Sequence, residues 1–132
     1  MRPRARLFVA LGSANAALAV ILGAFGAHAL TPVLSPQMLD VYHTASQYHF
    51  YHALGLLVVG MLANQVEGEG VGDAALRTAG FLMLAGIVVF CGSLYVLAVT
   101  GIAWLGAITP LGGVALIAAW IVLAVAAVRA TR

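Results

Sequence analysis

The sequence predicts an all-α membrane protein: a bundle of four transmembrane helices with both termini on the cytoplasmic side. Three observations predict it. The first is composition. Of the 132 residues, 64% are hydrophobic and 8% charged, against roughly a quarter charged in a soluble domain, so the chain cannot cover a water-facing surface. The second is segmentation into apolar stretches at about 7–30, 36–63, 78–99 and 109–128, each long enough to cross a hydrocarbon core of about 30 Å. The third is the placement of positive charge. All six basic residues are arginines, Arg2, Arg4, Arg6, Arg77, Arg129 and Arg132, and they fall in the N-terminal leader, the 64–77 loop and the C-terminus. The 31–46 and 100–108 connections hold no Lys or Arg. Positive charge stays on the cytoplasmic side, so a multi-pass membrane protein is expected, with both termini cytoplasmic or, in a mitochondrial relative, matrix-facing.

Taken in order, the basic leader MRPRAR precedes an uncharged stretch over 7–30. Ala27-His28-Ala29 has the form of a signal-peptidase site, but the stretch exceeds the 7–15 residues of a typical signal core, so a retained helix is expected. Small residues recur along it: Ala16, Ala19, Gly23, Gly26 and Ala27. The Ala19-Gly23-Ala27 ladder lets a neighbouring helix approach closely, and packing within the bundle is the expected use. Asn15 is the one amide in this span and should hydrogen-bond to a neighbour, since an unpaired amide in hydrocarbon is costly.

Thr31-Pro32 breaks the first helix. Ser35-Pro36 starts the second, with Ser as N-cap and Pro at the first helical position. From Gln37 the pattern is amphipathic: Asp40, His43, Thr44, Gln47 and Tyr51 share one arc, extended by Tyr48 and His52. From Ala53 to Ala63 it is apolar, so an interfacial lead-in is expected to dive into the membrane as the second span. The loop NQVEGEGVGDAALR carries Glu67, Glu69 and Asp73 and shows no catalytic pattern. The third span contains FCGSLY at 90–95. Thr109-Pro110 opens the fourth by the same cap-then-proline logic, and Gly112-Gly113 gives it a close-packing face. No internal repeat appears.

One stretch stands apart. Residues 35–64 hold three of the four histidines (His43, His49, His52) and three of the four tyrosines (Tyr42, Tyr48, Tyr51). The topology places His28, the His43–His52 segment, Cys91, Ser93, Tyr95 and Thr109 in the outer part of the membrane. The candidate ligand-binding set is therefore His28, Tyr48, His49, Tyr51, His52, Ser93, Tyr95 and Thr109. Tyr42 and Trp104 read as aromatic-belt anchors. His49-x-x-His52 has a spacing compatible with a metal or haem iron, with His28 and Cys91 as further ligands. A structural metal site wants about four ligands, however, and inter-helix hydrogen bonding is the favoured role; no metal site is assigned. Cys91 is a lone cysteine in an apolar run, expected to be a buried packing residue.

Four motifs, Gly23–His28 (GAFGAH), Gln47–Leu54 (QYHFYHAL), Phe90–Tyr95 (FCGSLY) and Ile108–Gly113 (ITPLGG), together resemble the YgdD/YwdK-like family. These are small bacterial inner-membrane proteins, with eukaryotic relatives, built on a domain of unknown function. The resemblance covers the whole chain and implies four transmembrane helices and a membrane location. It carries no activity to transfer. Cys91 stands where the family pattern has a small residue such as Ser, so a redox role there would not be general.

Function classes narrow accordingly. No nucleophile-elbow, Walker, HExxH or CxxC pattern appears, which argues against a conventional enzyme, and no basic patch points to nucleic acid. The favoured reading is a non-catalytic accessory or assembly component of a membrane complex, its partners the lipid bilayer and a second copy or another membrane subunit. The alternative is a lipid-, quinone- or haem-binding protein using the His/Tyr cluster; the sequence specifies no cofactor. A small-solute transporter ranks last, because the inner halves of the spans are apolar apart from Ser13 and Asn15.

Overall fold

The computed structural model describes residues 1–68 and 70–130; Glu69 and Arg132, counted above in the loop and in the arginine distribution, lie outside them. The described chain is helical, with no strand. Helix α1 (Pro3–Phe25) continues through a π-helical turn, Gly26–Leu30. Helix α2 (Pro36–Gln65) follows, then α3 (Val71–Gly86), a second π-helical turn at Ile87–Cys91, and α4 (Gly92–Thr100). Helix α5 (Leu105–Ala130) closes the bundle. Because α3, its π turn and α4 run on as one rod, the described residues form four long rods.

Local sequence explains the ends. Pro36 opens α2 and the Ser35 hydroxyl accepts from the Met38 amide at 3.2 Å, satisfying one of the orphan N–H groups of the first turn. Gly101 ends α4 in the left-handed conformation, φ 70°, where a side chain would be strained. The expected cap at Thr109-Pro110 is not where α5 begins. The helix starts at Leu105 and takes Pro110 into its second turn, where its missing N–H removes the i→i−4 bond to the Gly106 carbonyl.

Three rods are long and apolar enough to cross a membrane: Pro3–Leu30, Val71–Thr100 and Leu105–Arg129, with mean hydropathies of 2.0, 2.5 and 2.6. Helix α2, at 30 residues, is long enough, but its histidines, tyrosines and glutamine keep it off that list. It nevertheless lies antiparallel along all of α1. Tyr42 meets Leu22 at one end, and Asn64 Oδ1 accepts from the Arg2 amide at 3.1 Å at the other. Between them a Cβ on Gly12 would sit 2.9 Å from the Ala53 carbonyl oxygen, and one on Gly60 2.9 Å from the Val9 nitrogen. These two backbones touch because glycine leaves room for them to do so.

Helix α5 packs against the third rod in the same way. Gly112 faces the Phe90 backbone inside the π turn, too close for any side chain, and Gly86 faces Leu116. The Arg4–Asp73 ion pair joins the start of α1 to the start of α3, and Arg129 shares a groove with Val71 and Gly72. The N-terminus and the end of α5 therefore lie at the same end of the bundle.

The interior has three layers. At the end bearing the N-terminus, Phe8, Leu56, Val59, Met83 and Ile87 form an apolar core, each 5% exposed or less. At the other end Leu30, Tyr42 and Ala98 form a smaller one. The buried histidines and the Ser93 and Thr109 hydroxyls sit between them.

Candidate functional site

The middle layer is built from α2 outward. His49 is 3% exposed and bridges two neighbours. Its Nε2 lies 3.0 Å from Asn15 Oδ1 on α1, and its Nδ1 3.1 Å from the Tyr95 hydroxyl on α4. The Asn15 amide nitrogen donates to the Leu11 carbonyl at 2.9 Å, which fixes Oδ1 as the atom facing the ring. An amide oxygen can only accept, so Nε2 carries the proton and Nδ1 accepts from Tyr95. One imidazole thus ties three helices, and Asn15 has the inter-helix partner that its place in the span demanded.

His52, one turn on and 6% exposed, turns toward α5 instead. Trp120 Nε1–H donates to its Nε2 at 3.1 Å, and its Nδ1 lies 2.7 Å from the Tyr48 carbonyl. Indole N–H is a donor only, so this ring is neutral, with its proton on Nδ1 and donated to Tyr48. All four ring nitrogens of the two buried histidines are engaged. Ligating a metal or haem iron through either ring would require giving up an inter-helix or backbone contact, and the two rings face different helices. Among the described residues no group of three or more potential metal ligands comes together.

The predicted convergence of one site therefore divides. Ser93 and Thr109 form a separate pair, hydroxyl to hydroxyl at 2.6 Å across α4 and α5, with Ser93 donating also to the Phe90 carbonyl at 3.0 Å. That carbonyl belongs to the π turn, whose widened geometry leaves it reachable. His28 is exposed and joins none of these groups. Tyr48 and Tyr51 are 41% and 54% exposed. With Phe90 and Trp120 they wall a groove of ≈ 550 Å³ between α2 and α5, floored by Gly113 and Leu116. Tyr48 lies 5.0 Å from Phe90, ring centre to ring centre. Neither tyrosine hydroxyl makes a hydrogen bond among the described residues. Cys91 is 1% exposed, a packing residue.

Two expectations are corrected. Tyr42 is not a belt anchor: it is 2% exposed, stacks edge-on against Tyr95, and donates to the Leu22 carbonyl at 2.5 Å. Gly26 makes this possible, since a Cβ there would strike the tyrosine ring. Ala27, placed on the packing face by its i+4 spacing from Gly23, is exposed, because the π turn beginning at Gly26 breaks that register. The other predicted packing residues lie at contacts. Ala19 is buried, a Cβ on Gly23 would be 3.0 Å from Ser46 Oγ, and Gly112 abuts Phe90 more tightly than Gly113 does. Trp120 was missed. A lone Trp in an apolar run gives no sign that its N–H reaches a histidine 68 residues away.

A family model described as "Protein of unknown function (DUF423)" matches residues 22–113, a stretch that takes in all four sequence motifs. The chain belongs to this family. It is similar to UPF0382 membrane protein YwdK of Bacillus subtilis (strain 168), 57% identical over 124 residues covering 94% of this chain and 98% of the relative. A UPF0382 membrane protein of Staphylococcus epidermidis (strain ATCC 12228) is 44% identical over 94% of this chain and 97% of its own length. One from Staphylococcus aureus (strain bovine RF122) is 45% identical over 92% and 94%. No solved structure matches the chain. The YwdK-like membrane family expected from the motifs is thus the family found.

Proposed function

We propose that this chain is a non-catalytic four-span protein of the bacterial inner membrane, both termini cytoplasmic, acting as an accessory or assembly component of a membrane complex. One observation carries the reading: the buried imidazoles among the described residues, His49 and His52, have all their ring nitrogens engaged, three in contacts between helices and one with the backbone of α2, which leaves neither free as a general base or a ligand. Two others support the topology. Helix α2 runs beside α1 for its whole length, so a bilayer that holds α1 holds α2. The arginines Arg2, Arg4, Arg6, Arg77 and Arg129 gather at one end of the bundle, the end that the positive-inside rule assigns to the cytoplasm. The apolar core at that end leaves no polar path for a transported solute. The test is gentle affinity isolation from native membranes. Recovery of a defined complex supports the proposal; a solitary monomer that instead turns over or carries a small molecule defeats it.

A second reading has a specific observation behind it. The aromatic groove of ≈ 550 Å³ falls within the volume range of small-molecule sites, and its unpartnered phenol hydroxyls suit a carbonyl oxygen on a lipid or quinone. Tyr48→Phe and Tyr51→Phe should then release a molecule that the wild-type protein retains on extraction.

A further inference from the structure

The outward face of α2 makes little sense as a surface for lipid. Asp40, His43, Gln47, Tyr51, Leu54 and Val58 recur at three- and four-residue spacing, forming one stripe along the helix, and all are exposed. Gln47 is at the middle of this stripe, opposite the face that carries His49. Its depth follows from its neighbour Ser46, whose hydroxyl donates to the Ala19 carbonyl at 3.4 Å. Ala19 lies about 18 Å from one end of the uncharged 7–30 stretch and about 17 Å from the other, at 1.5 Å per residue. The Gln47 amide therefore faces outward about halfway across the hydrocarbon core. It makes no hydrogen bond among the described residues, and neither the Asp40 carboxylate nor the His43 ring has a side-chain partner among them. A primary amide without a partner in hydrocarbon is strongly disfavoured.

We propose that this stripe is the interface between two copies of the chain, related by a twofold axis along the membrane normal. The inference rests on α2 lying in the membrane. A second copy fits for three reasons. A primary amide carries donor and acceptor together, so Gln47 can pair reciprocally with its own counterpart across the axis, as an isologous interface requires. Asp40 and His43, one turn apart toward the outer end, supply a carboxylate acceptor and an imidazole N–H donor that can cross-pair between copies. Toward the inner end the stripe continues as Leu54 and Val58, 42% and 45% exposed, which extend the contact with apolar packing. A lipid chain meets only the last of these needs.

The test is cross-linking in native membranes, in a Cys91→Ala background, with single cysteines at Leu54 or Val58 and controls at Val20 on α1 and Ile117 on α5. The controls are 60% and 61% exposed, so exposure alone does not distinguish the sets. The expected result is a two-copy product from Leu54→Cys and Val58→Cys but not from the controls, weakened roughly three- to thirtyfold by Gln47→Leu, the range for one inter-helix hydrogen bond. Because Gln47→Leu replaces an outward amide with an apolar side chain, it leaves the monomer folded. Equal products at all four positions, none at the α2 positions, or a product with a different polypeptide would overturn the proposal. Labelling of Leu54→Cys by a membrane-impermeant maleimide would show instead that α2 is not embedded, which defeats the topology on which the proposal rests.

Discussion

The two faces of α2 carry similar residues in different circumstances. On the inner face His49, His52 and Tyr42 are buried, and each has its polar atoms met by another helix or by its own backbone. On the outer face Asp40, His43, Gln47 and Tyr51 are exposed, and their side-chain polar atoms make no hydrogen bond to another side chain among the described residues. Hydropathy averages over both faces and so rates α2 below the other rods. The comparison teaches that polarity in a membrane helix is a statement about partners. On the inner face the partners are intramolecular and the helix needs no further help. On the outer face, in the proposed topology, they have to be supplied from outside the chain.

The largest way to break the comparison is to separate α2 from α1. Gly12→Leu puts a side chain where the Ala53 oxygen and Leu57 nitrogen each stand 2.9 Å from a Cβ. The expected loss is about 3 kcal/mol or more, read as failure to accumulate in the membrane or as unfolding at much lower denaturing-detergent content. His49→Ala comes next. It strands the Asn15 amide oxygen and the Tyr95 hydroxyl in an apolar interior, so a loss of about 2–3 kcal/mol is expected by the same unfolding assay. Combining it with Asn15→Ala sharpens the claim, because the cycle should show a coupling of about 1 kcal/mol. Trp120→Phe removes the donor to His52 and part of a half-exposed ring, and a loss of about 1 kcal/mol is expected. Gln47→Leu should be smallest, within about 0.5 kcal/mol of wild type when the protein is held monomeric. A large destabilisation there would erase the difference between the faces.

The helical rods were legible because apolar length and the Ser35-Pro36 cap are local signals, each read without knowing what packs where. Asn15 was legible too, since an amide inside an uncharged stretch demands a partner. The identity of that partner was not, because it depends on the register between α1 and α2, and glycines set that register through backbone contact. The same gap explains Tyr42: a tyrosine near a predicted helix end reads as an anchor until Gly26 is seen to open space for its ring. Ala27 misled for a different reason, since i+4 spacing assumes an unbroken α-helix and a π turn begins one residue earlier. His28, His49, His52, Ser93 and Thr109 were grouped by shared depth. Their separation into two histidine bridges, one hydroxyl pair and one exposed ring depends on side-chain direction, which depth does not determine.

The most direct test of the central claim, that the buried histidines hold helices and leave partnership to the outer face, is a native mass spectrum of the protein released gently from its own membrane, taken for wild type and for His49→Ala and His52→Ala. The account predicts a species containing more than one polypeptide, with no bound small molecule whose presence depends on either histidine. A single chain carrying a reproducible added mass that disappears in those two variants would contradict it and make the histidines part of a ligand site.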